Sequence, residues 1–279
     1  AAEHGIPAVY ENYQAMIDAP DIDAIYNALP PNLHRTWSIA ALEAGKPVLC
    51  EKPFALCAQD VMLMLDAEQR TGRRLMEAQH SHYHPLSARV REITRSGILG
   101  KIKTATAHFS VTVKQSPGEI RYNPDVGGGA LWDLGVYPAY WLRSAFGEEP
   151  EIISASQILA DTGADIETRA ELRFPSGSFA SLSCAMRGDF AAWLKVEGEI
   201  GSLAVVNPLA PQSGHSLTLT IADAVTEESY TKKSTYAFQL EAFRDAVVSN
   251  GAVPTRGEDS LATMTLLENI QRRAVKISE

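Results

Sequence analysis

Long apolar runs are missing from this 279-residue chain. Nothing in it approaches the roughly 18 to 20 consecutive apolar residues that a helix needs to cross a bilayer, so a helical membrane span is not expected. The opening residues also lack the basic-then-apolar pattern of a secretory leader, and the expected location is cytoplasmic. Cysteine is scarce. Cys50, Cys57 and Cys184 show neither metal-type nor redox-motif spacing, which sets aside a disulfide framework and suits buried, inert thiols in a reducing compartment. Positive charge is in deficit: 25 Lys and Arg stand against 34 Asp and Glu, a net charge of −9. Phosphate binding needs clustered cations, so nucleic acid is not an expected partner. No internal repeat or low-complexity linker is present. What remains is a globular composition, 45% hydrophobic and 21% charged, on a chain long enough for two domains. Small-molecule chemistry is the class left standing.

Strands and helices alternate at the start. Residues 1–6 read as the tail of a helix closed by Gly5, 8–10 as an extended piece and 12–17 as a helix. An apolar strand over 22–29 stops at Pro30-Pro31, followed by a helix over 34–44, a strand at 48–50, a helix over 58–71 and a strand at 74–78. This spacing makes parallel βαβ units with right-handed crossovers. From Lys101 the pattern changes to period-two alternation, K-I-K-T-A-T-A-H-F-S-V-T-V. Further strands are expected at 152–158, 167–174, 178–186, 193–197, 202–206, 217–221 and 229–232. So many strands with few helices between them imply a large, mostly antiparallel open sheet. Helices are expected after the glycines at 127–129 and over 237–248 and 260–275. The division expected is 1–85 and 86–279.

Two stretches carry candidate chemistry. In A-G-K-P-V-L-C-E-K-P, residues 44–53, Gly45 closes a helix, Pro47 bars its continuation, and a buried strand ends abruptly at Glu51-Lys52-Pro53. Open α/β sheets bind ligands outside the carboxyl ends of their strands, so a charged pair held there is a site candidate; the competing reading is a surface turn. In G-G-G-A-L-W-D-L-G-V-Y-P, residues 127–138, Asp133 and Tyr137 stand four apart and share one helix face. Pro138 lacks the amide that would bond the Leu134 carbonyl, so the helix should bend beside Tyr137. The competing reading is a glycine-rich loop leading to a core tyrosine. His80, His82 and His84 alternate and would face one way on a strand, which invites a metal reading. No Cys or carboxylate supports it at a ligand spacing, so no metal is expected and a polar strand end beside the cleft is the simpler account.

Together with L-P-P-N-L-H at 29–34, these motifs give the chain a recognisable pattern. It resembles the Gfo/Idh/MocA family of NAD(P)-dependent oxidoreductases over nearly its whole length, and most of all the subgroup of glucose-fructose oxidoreductase and the dimeric dihydrodiol and D-xylose dehydrogenases. The resemblance implies a dinucleotide-binding domain joined to a substrate-binding and oligomerisation domain built on an open, largely antiparallel sheet. It implies NAD or NADP as cofactor, hydride transfer to or from a hydroxyl-bearing carbon of a sugar, polyol or related diol, and a homo-oligomer paired through the outer sheet face. Lys52 falls on the family lysine that contacts the nicotinamide ribose and the reacting hydroxyl, and Asp133 on the residue that binds substrate hydroxyls. Tyr137 stands where many members carry His, as in that subgroup, and would be the general acid/base. A phenol of pKa ~10 needs a nearby cation to ionise, a charge Lys52 would supply. Pro30, Asn32, His34, Glu51 and Pro53 match positions around the cofactor.

The sequence departs from the family in two places. The opening strand, its G-x-G-x-x-G loop and the second strand have no counterpart, so an N-terminally truncated Rossmann-type parallel sheet is expected, with 1–85 its remnant and NAD-versus-NADP preference left open. These residues alone would then bind either dinucleotide weakly and offer strand edges to other chains. Relatives often carry Arg in place of His82, so that contact is not carried over. Two further readings fit the same motifs: a non-catalytic sugar or dinucleotide sensor, and an inactive fragment of such an enzyme.

Overall fold

The protein was analysed as a computed structural model that describes residues 2–249, 251–253 and 255–278. A single helical turn, Ala2–His4, leads through extended chain to α1 (Tyr13–Asp18), whose first turn is capped by Asn12 accepting from the Ala15 amide at 2.8 Å. Three short parallel strands follow, β1 (Ile25–Asn27), β2 (Val48–Cys50) and β3 (Leu75–Glu77), in that spatial order. α2 (Pro31–Glu43) and α3 (Ala58–Thr71) make the crossovers, as the sequence grammar requires. Pro31 suits the first turn of α2, where a missing amide costs nothing, and Gly72 ends α3 in the left-handed conformation at φ 65°. β2 is buried on both faces. Val48 and Cys50 join the main core with Leu42, Phe54 and Met64, while Leu49 meets Met76 and Ala246 on the other side. Each such fully buried side chain is worth about 1.5–3 kcal/mol.

α4 (Pro85–Arg95) leads into the second sheet: β4 (Ile102–Ser110), β5 (Glu151–Leu159), β6 (Asp165–Arg173), β7 (Phe179–Ala185), β8 (Ala191–Gly198), β9 (Gly201–Val206), β10 (Ser216–Ile221), β11 (Ala224–Glu228) and β12 (Val275–Ser278). Their spatial order is β11-β10-β9-β8-β4-β7-β6-β5-β12. β4 with β7 and β5 with β12 are parallel, and the remaining neighbours are antiparallel. α5 (Val136–Phe146), preceded by a π-helical turn at Leu131–Gly135, packs on the inner face against β4, β7 and β8. α6 (Thr235–Val248) and α7 (Gly257–Arg273) close the chain, and α7 returns to pack on α3 and β3.

Several expectations are corrected. Residues 80–84 are not a strand: His80–Tyr83 is a 3-10 turn, so the three histidines point in different directions. The extended piece at 8–10 joins no sheet among the described residues, and the opening helix tail is one turn, with Ala1 outside the described residues. The strand expected at 229–232 lies earlier, at β11. The last helix stops at Arg273, and Val275 begins β12 instead of ending a helix. α4 was not anticipated.

Candidate active site

The end of β2 delivers the first functional group. The Glu51 amide continues the sheet ladder to Asn27 O at 2.9 Å, and the Lys52-Pro53 peptide that follows is cis. Glu51 folds back on its own turn: one carboxylate oxygen accepts from the Lys52 amide at 3.1 Å and the other from the Tyr26 hydroxyl on β1. The Lys52 side chain is thereby sent across to the second sheet's domain, where Nζ donates to Asp133 Oδ1 at 2.7 Å and to the Asp133 carbonyl at 2.8 Å.

Asp133 is placed by the glycines before it. Gly129 has φ +123°, and a Cβ there would come within 2.2 Å of Asp165 Oδ1, so only glycine fits. Asp165, buried, accepts from the Leu131 amide at 2.8 Å and from Thr168 Oγ1 at 2.6 Å, fixing the start of the π-helical turn. The wider turn is how the helix accommodates Pro138, and it brings Asp133 and Tyr137 to the cleft together. Arg121 Nε lies 3.1 Å from Asp133 Oδ2, so each carboxylate oxygen has its own cation. Burial would push the Asp133 carboxyl up, but the charge and hydrogen bond of Lys52, with Arg121, hold it below the usual carboxylate range.

Tyr137 is 5% exposed, with Lys52 Nζ 5.1 Å above its ring and Phe109 edge-on to it. Its hydroxyl lies 3.4 Å from His80 Nε2. Burial, then the negative charge of Glu51 and the neighbouring Tyr236 and Asp133, push the phenol well above its ordinary value. The ammonium expected to ionise it is already matched by Asp133, so the phenol keeps its proton.

These groups open on a cleft of about 650 Å³, lined among others by Lys52, His80, Phe109, Asp133, Tyr137 and Tyr236. Beside it a hollow of about 180 Å³, bounded by Leu29, Pro31, Glu51, Lys52, Pro53, Gly127 and Gly128, opens at the carboxyl ends of β1 and β2. Of the expected cofactor positions, Glu51, Lys52 and Pro53 border this hollow. Pro30 caps α2 next to it, Asn32 is exposed in the first turn of α2, and His34 is buried behind Leu29 and Pro53. Fully buried His34 faces Leu29 O at 2.7 Å and Pro53 O at 3.0 Å, which fixes the two loops against each other. A larger hollow of about 860 Å³ along α3, beside Leu65, Glu68 and Arg256, holds none of these groups.

Three contributors have no place in the sequence reading, Arg121, Tyr236 and Asp165; His80 belongs to the polar cluster expected beside the cleft, and the structure sets it against Tyr137. Arg121 had a signal, since I-R-Y-N-P lies just two residues before the glycines; in the structure its carbonyl accepts from the Gly129 amide at 2.9 Å. His82 hydrogen-bonds Tyr140 and lies 3.3 Å from Arg91 Nη1, and His84 Nδ1 accepts from the Leu86 amide to cap α4. Among the described residues no group of three His, Cys, Asp or Glu is arranged to hold a metal.

Comparison with known proteins finds relatives of both domains. Residues 1–79 match the model of the oxidoreductase family with an NAD-binding Rossmann fold, and residues 87–204 match the GFO/IDH/MocA C-terminal domain. An uncharacterized oxidoreductase of Rhizobium meliloti is 34% identical over 98% of this chain and 84% of its own. The chain belongs to the Gfo/Idh/MocA oxidoreductase family. Another member, the NADP-dependent D-xylose 1-dehydrogenase 2 of Haloferax volcanii, is 30% identical over 98% of this chain and 85% of that protein. In crystal structures, the 3-ketoreductase KijD10 of Actinomadura kijaniata, in complex with NADP and TDP-benzene, superposes with a TM-score of 0.89 at 29% identity, covering 97% of this chain and 84% of its own. The Caulobacter crescentus aldose-aldose oxidoreductase, with glycerol, gives 0.89 at 27% identity over 98% and 84%.

The family's nicotinamide cofactor can be tested against the residues present. The hollow at the strand ends has the size of a single heteroaromatic ring, adjoins Lys52, and shares Lys52, Arg121 and Asp133 with the cleft that holds Tyr137. The residues fit the nicotinamide half of such a cofactor.

Proposed function

We propose that this protein is an oxidoreductase that moves a hydride between a nicotinamide cofactor, NAD or NADP, and a hydroxyl-bearing carbon of a sugar, polyol or related diol. The observation that carries this reading is the convergence of Lys52, Asp133 and Tyr137 from two domains on one cleft beside a ring-sized hollow. Glu51, Lys52 and Pro53 would hold the nicotinamide end, with Pro30 and Asn32 at its margin and His34 bracing the wall. The cofactor supplies the hydride chemistry. Asp133, kept ionised by two cations, accepts hydrogen bonds from substrate hydroxyls, and Lys52 holds the oxygen of the reacting carbon. Tyr137, which stays protonated, exchanges a proton with that oxygen. Relatives support the substrate class, since they include enzymes named for D-xylose, for a TDP-linked 3-keto sugar and for trans-1,2-dihydrobenzene-1,2-diol.

The test is reduced-nicotinamide absorbance with a panel of aldoses, polyols and cyclic diols and each cofactor in turn. Turnover with at least one member of the panel is expected, and none with any would count against the reading. We further propose that the outer face of the nine-stranded sheet pairs two copies. Among the described residues no helix covers it, and it exposes Phe179 and Ile153 among the ion pairs of Glu167 with Arg169 and Arg187. Sedimentation at micromolar concentration should give a dimer or larger species; monomer alone would refute the pairing.

A further inference from the structure

His80 is a buried titratable group lining the cleft that the reaction just described leaves without a role. It is 4% exposed, stacked on Tyr236 with ring centroids 4.4 Å apart and planes at 21°, and edge-on to Tyr137. A hydroxyl flanks each ring nitrogen: Tyr137 OH at 3.4 Å from Nε2, and the fully buried Thr235 Oγ1 at 2.9 Å from Nδ1. A neutral imidazole donates at one nitrogen and accepts at the other. The phenol is the more acidic hydroxyl and the better donor, which makes Nε2 the acceptor from Tyr137 and Nδ1–H the donor to Thr235. The charged group facing His80 is Lys52 at the end of β2, whereas Tyr137 on α5 and Thr235 and Tyr236 on α6 are neutral. Burial, with the charge of Lys52, pushes the imidazole down to about 4, so it is unprotonated at neutral pH.

We infer that His80 takes up the proton that Tyr137 receives, making Tyr137 a conduit and not a store. This deepens the function proposed above and rests on it. In the oxidation direction the substrate O–H bond breaks as a new O–H bond forms on the Tyr137 oxygen. The original phenol O–H bond breaks as an N–H bond forms at His80 Nε2. The hydride leaves the same carbon for the nicotinamide cofactor, whose ring loses one positive charge as His80 gains one, so the net charge of the cleft is unchanged. Reduction runs the same transfers backwards once His80, neutral at rest, has taken a proton from water in the cleft that it lines. No phenolate forms at any stage, in keeping with the surroundings of Tyr137.

The experiment uses His80→Gln, which keeps a hydrogen-bond acceptor but cannot take a proton, and His80→Phe, which keeps only the packing. Both should lower kcat by about 10²-fold or more, within the range for acid–base groups, with KM inside threefold of the wild-type value. The wild-type fall in kcat/KM towards pH about 4 should be lost in His80→Gln. Nitrogen NMR of the unliganded protein at neutral pH should find Nδ1 protonated and Nε2 bare, with the Nε2 signal moving in Tyr137→Phe. His80→Gln turning over at the wild-type rate, or an imidazole protonated at Nε2, overturns the assignment. An inactive wild-type chain would defeat the proposed function instead, and the tautomer would still decide whether His80 can accept from Tyr137.

Discussion

The two walls of the cleft handle polarity in opposite ways. On the wall built from β2 and the π-helical turn, Lys52, Asp133 and Arg121 form an ionic chain in which each carboxylate oxygen meets a cation and the groups stay partly open to water. On the wall built from α5, α6 and the His80–Tyr83 turn, Tyr137, His80 and Thr235 are neutral, buried and linked hydroxyl to imidazole to hydroxyl. The family resemblance implies that Lys52 lies close enough to serve as the cation for Tyr137, and the structure sets it at 5.1 Å, but the ammonium is neutralised before the phenol benefits. Proximity of a cation does not by itself lower a pKa; the charge must also be unmatched. The charged wall therefore suits binding and orientation, and the neutral wall suits moving a proton.

Breaking the neutral wall should have the largest effect. Tyr137→Phe removes the proton-transferring oxygen and keeps the packing against Phe109, so kcat should fall by ~10² to ~10⁴-fold with the fold intact. Steady-state kinetics decide it, and unchanged turnover would move the role elsewhere, most directly to Lys52. Next in size is the charged wall. Asp133→Asn leaves the Lys52 ammonium without its counter-charge beside the phenol, and removes one of the negative charges that raise it, so Tyr137 should titrate lower. The alkaline limb of the pH–rate profile should shift to lower pH. Losing a charge-assisted hydrogen bond of about 1.5–3 kcal/mol should reduce kcat/KM by roughly 10- to 10²-fold. A limb that stays in place would mean that Asp133 does not control Tyr137.

Glu77 sharpens the contrast from below. It ends β3 at 1% exposure, accepts from Ser260 Oγ at 2.6 Å, and is pushed by burial up to about 7 from the ordinary 4.5. Because the folded state holds this proton more tightly than the unfolded chain, stability is fully present below about pH 4.5 and is lost as pH rises through about 7. The slope from this one group should reach about 1.4 kcal/mol per pH unit within that window. Denaturant midpoints across the window should fall with rising pH for the wild type and flatten for Glu77→Gln; equal slopes would show that Glu77 is not the group responsible.

The βαβ start was legible because Gly45, Pro47 and the Pro30-Pro31 pair punctuate it, and because β2, buried on both faces, reads as an apolar run. Lys52, Asp133 and Tyr137 were legible because each ends or follows a distinctive local motif. The rest failed for identifiable reasons. β11 is exposed along most of its length, so it shows no alternation, and its hairpin turns through Ala222 at φ 50° without the usual Gly or Asn signal. α4 carries Leu86, Val90 and Ile93 at helical spacing, but its cap is a histidine ring, not a hydroxyl or carboxylate. Alternation at 80–84 was mistaken for a strand, since a 3-10 turn has no signature over so few residues. The His80 contacts join residues 57 and 155 positions apart, which local pattern cannot reveal.

The smallest expected effect separates the two cations of the charged wall. Arg121 and Lys52 both hold Asp133, but the Arg121 side chain is 46% exposed and that of Lys52 15%. Solvent screens the exposed pair and holding a long side chain in place opposes it, so such contacts are worth about 0–1 kcal/mol. Arg121→Ala should therefore raise KM by no more than about fivefold and leave kcat nearly unchanged, because Lys52 alone keeps Asp133 ionised and in place. The small loss should fade further as salt is added, since the Debye length falls to about 3 Å at 1 M. A fall in kcat comparable to that of Asp133→Asn would refute this division of labour. It would mean that Arg121 orders the Glu119–Gly129 approach to the glycines through its contacts with Glu119 and Asp133, and that the exposed rim of the charged wall is as essential as its buried root.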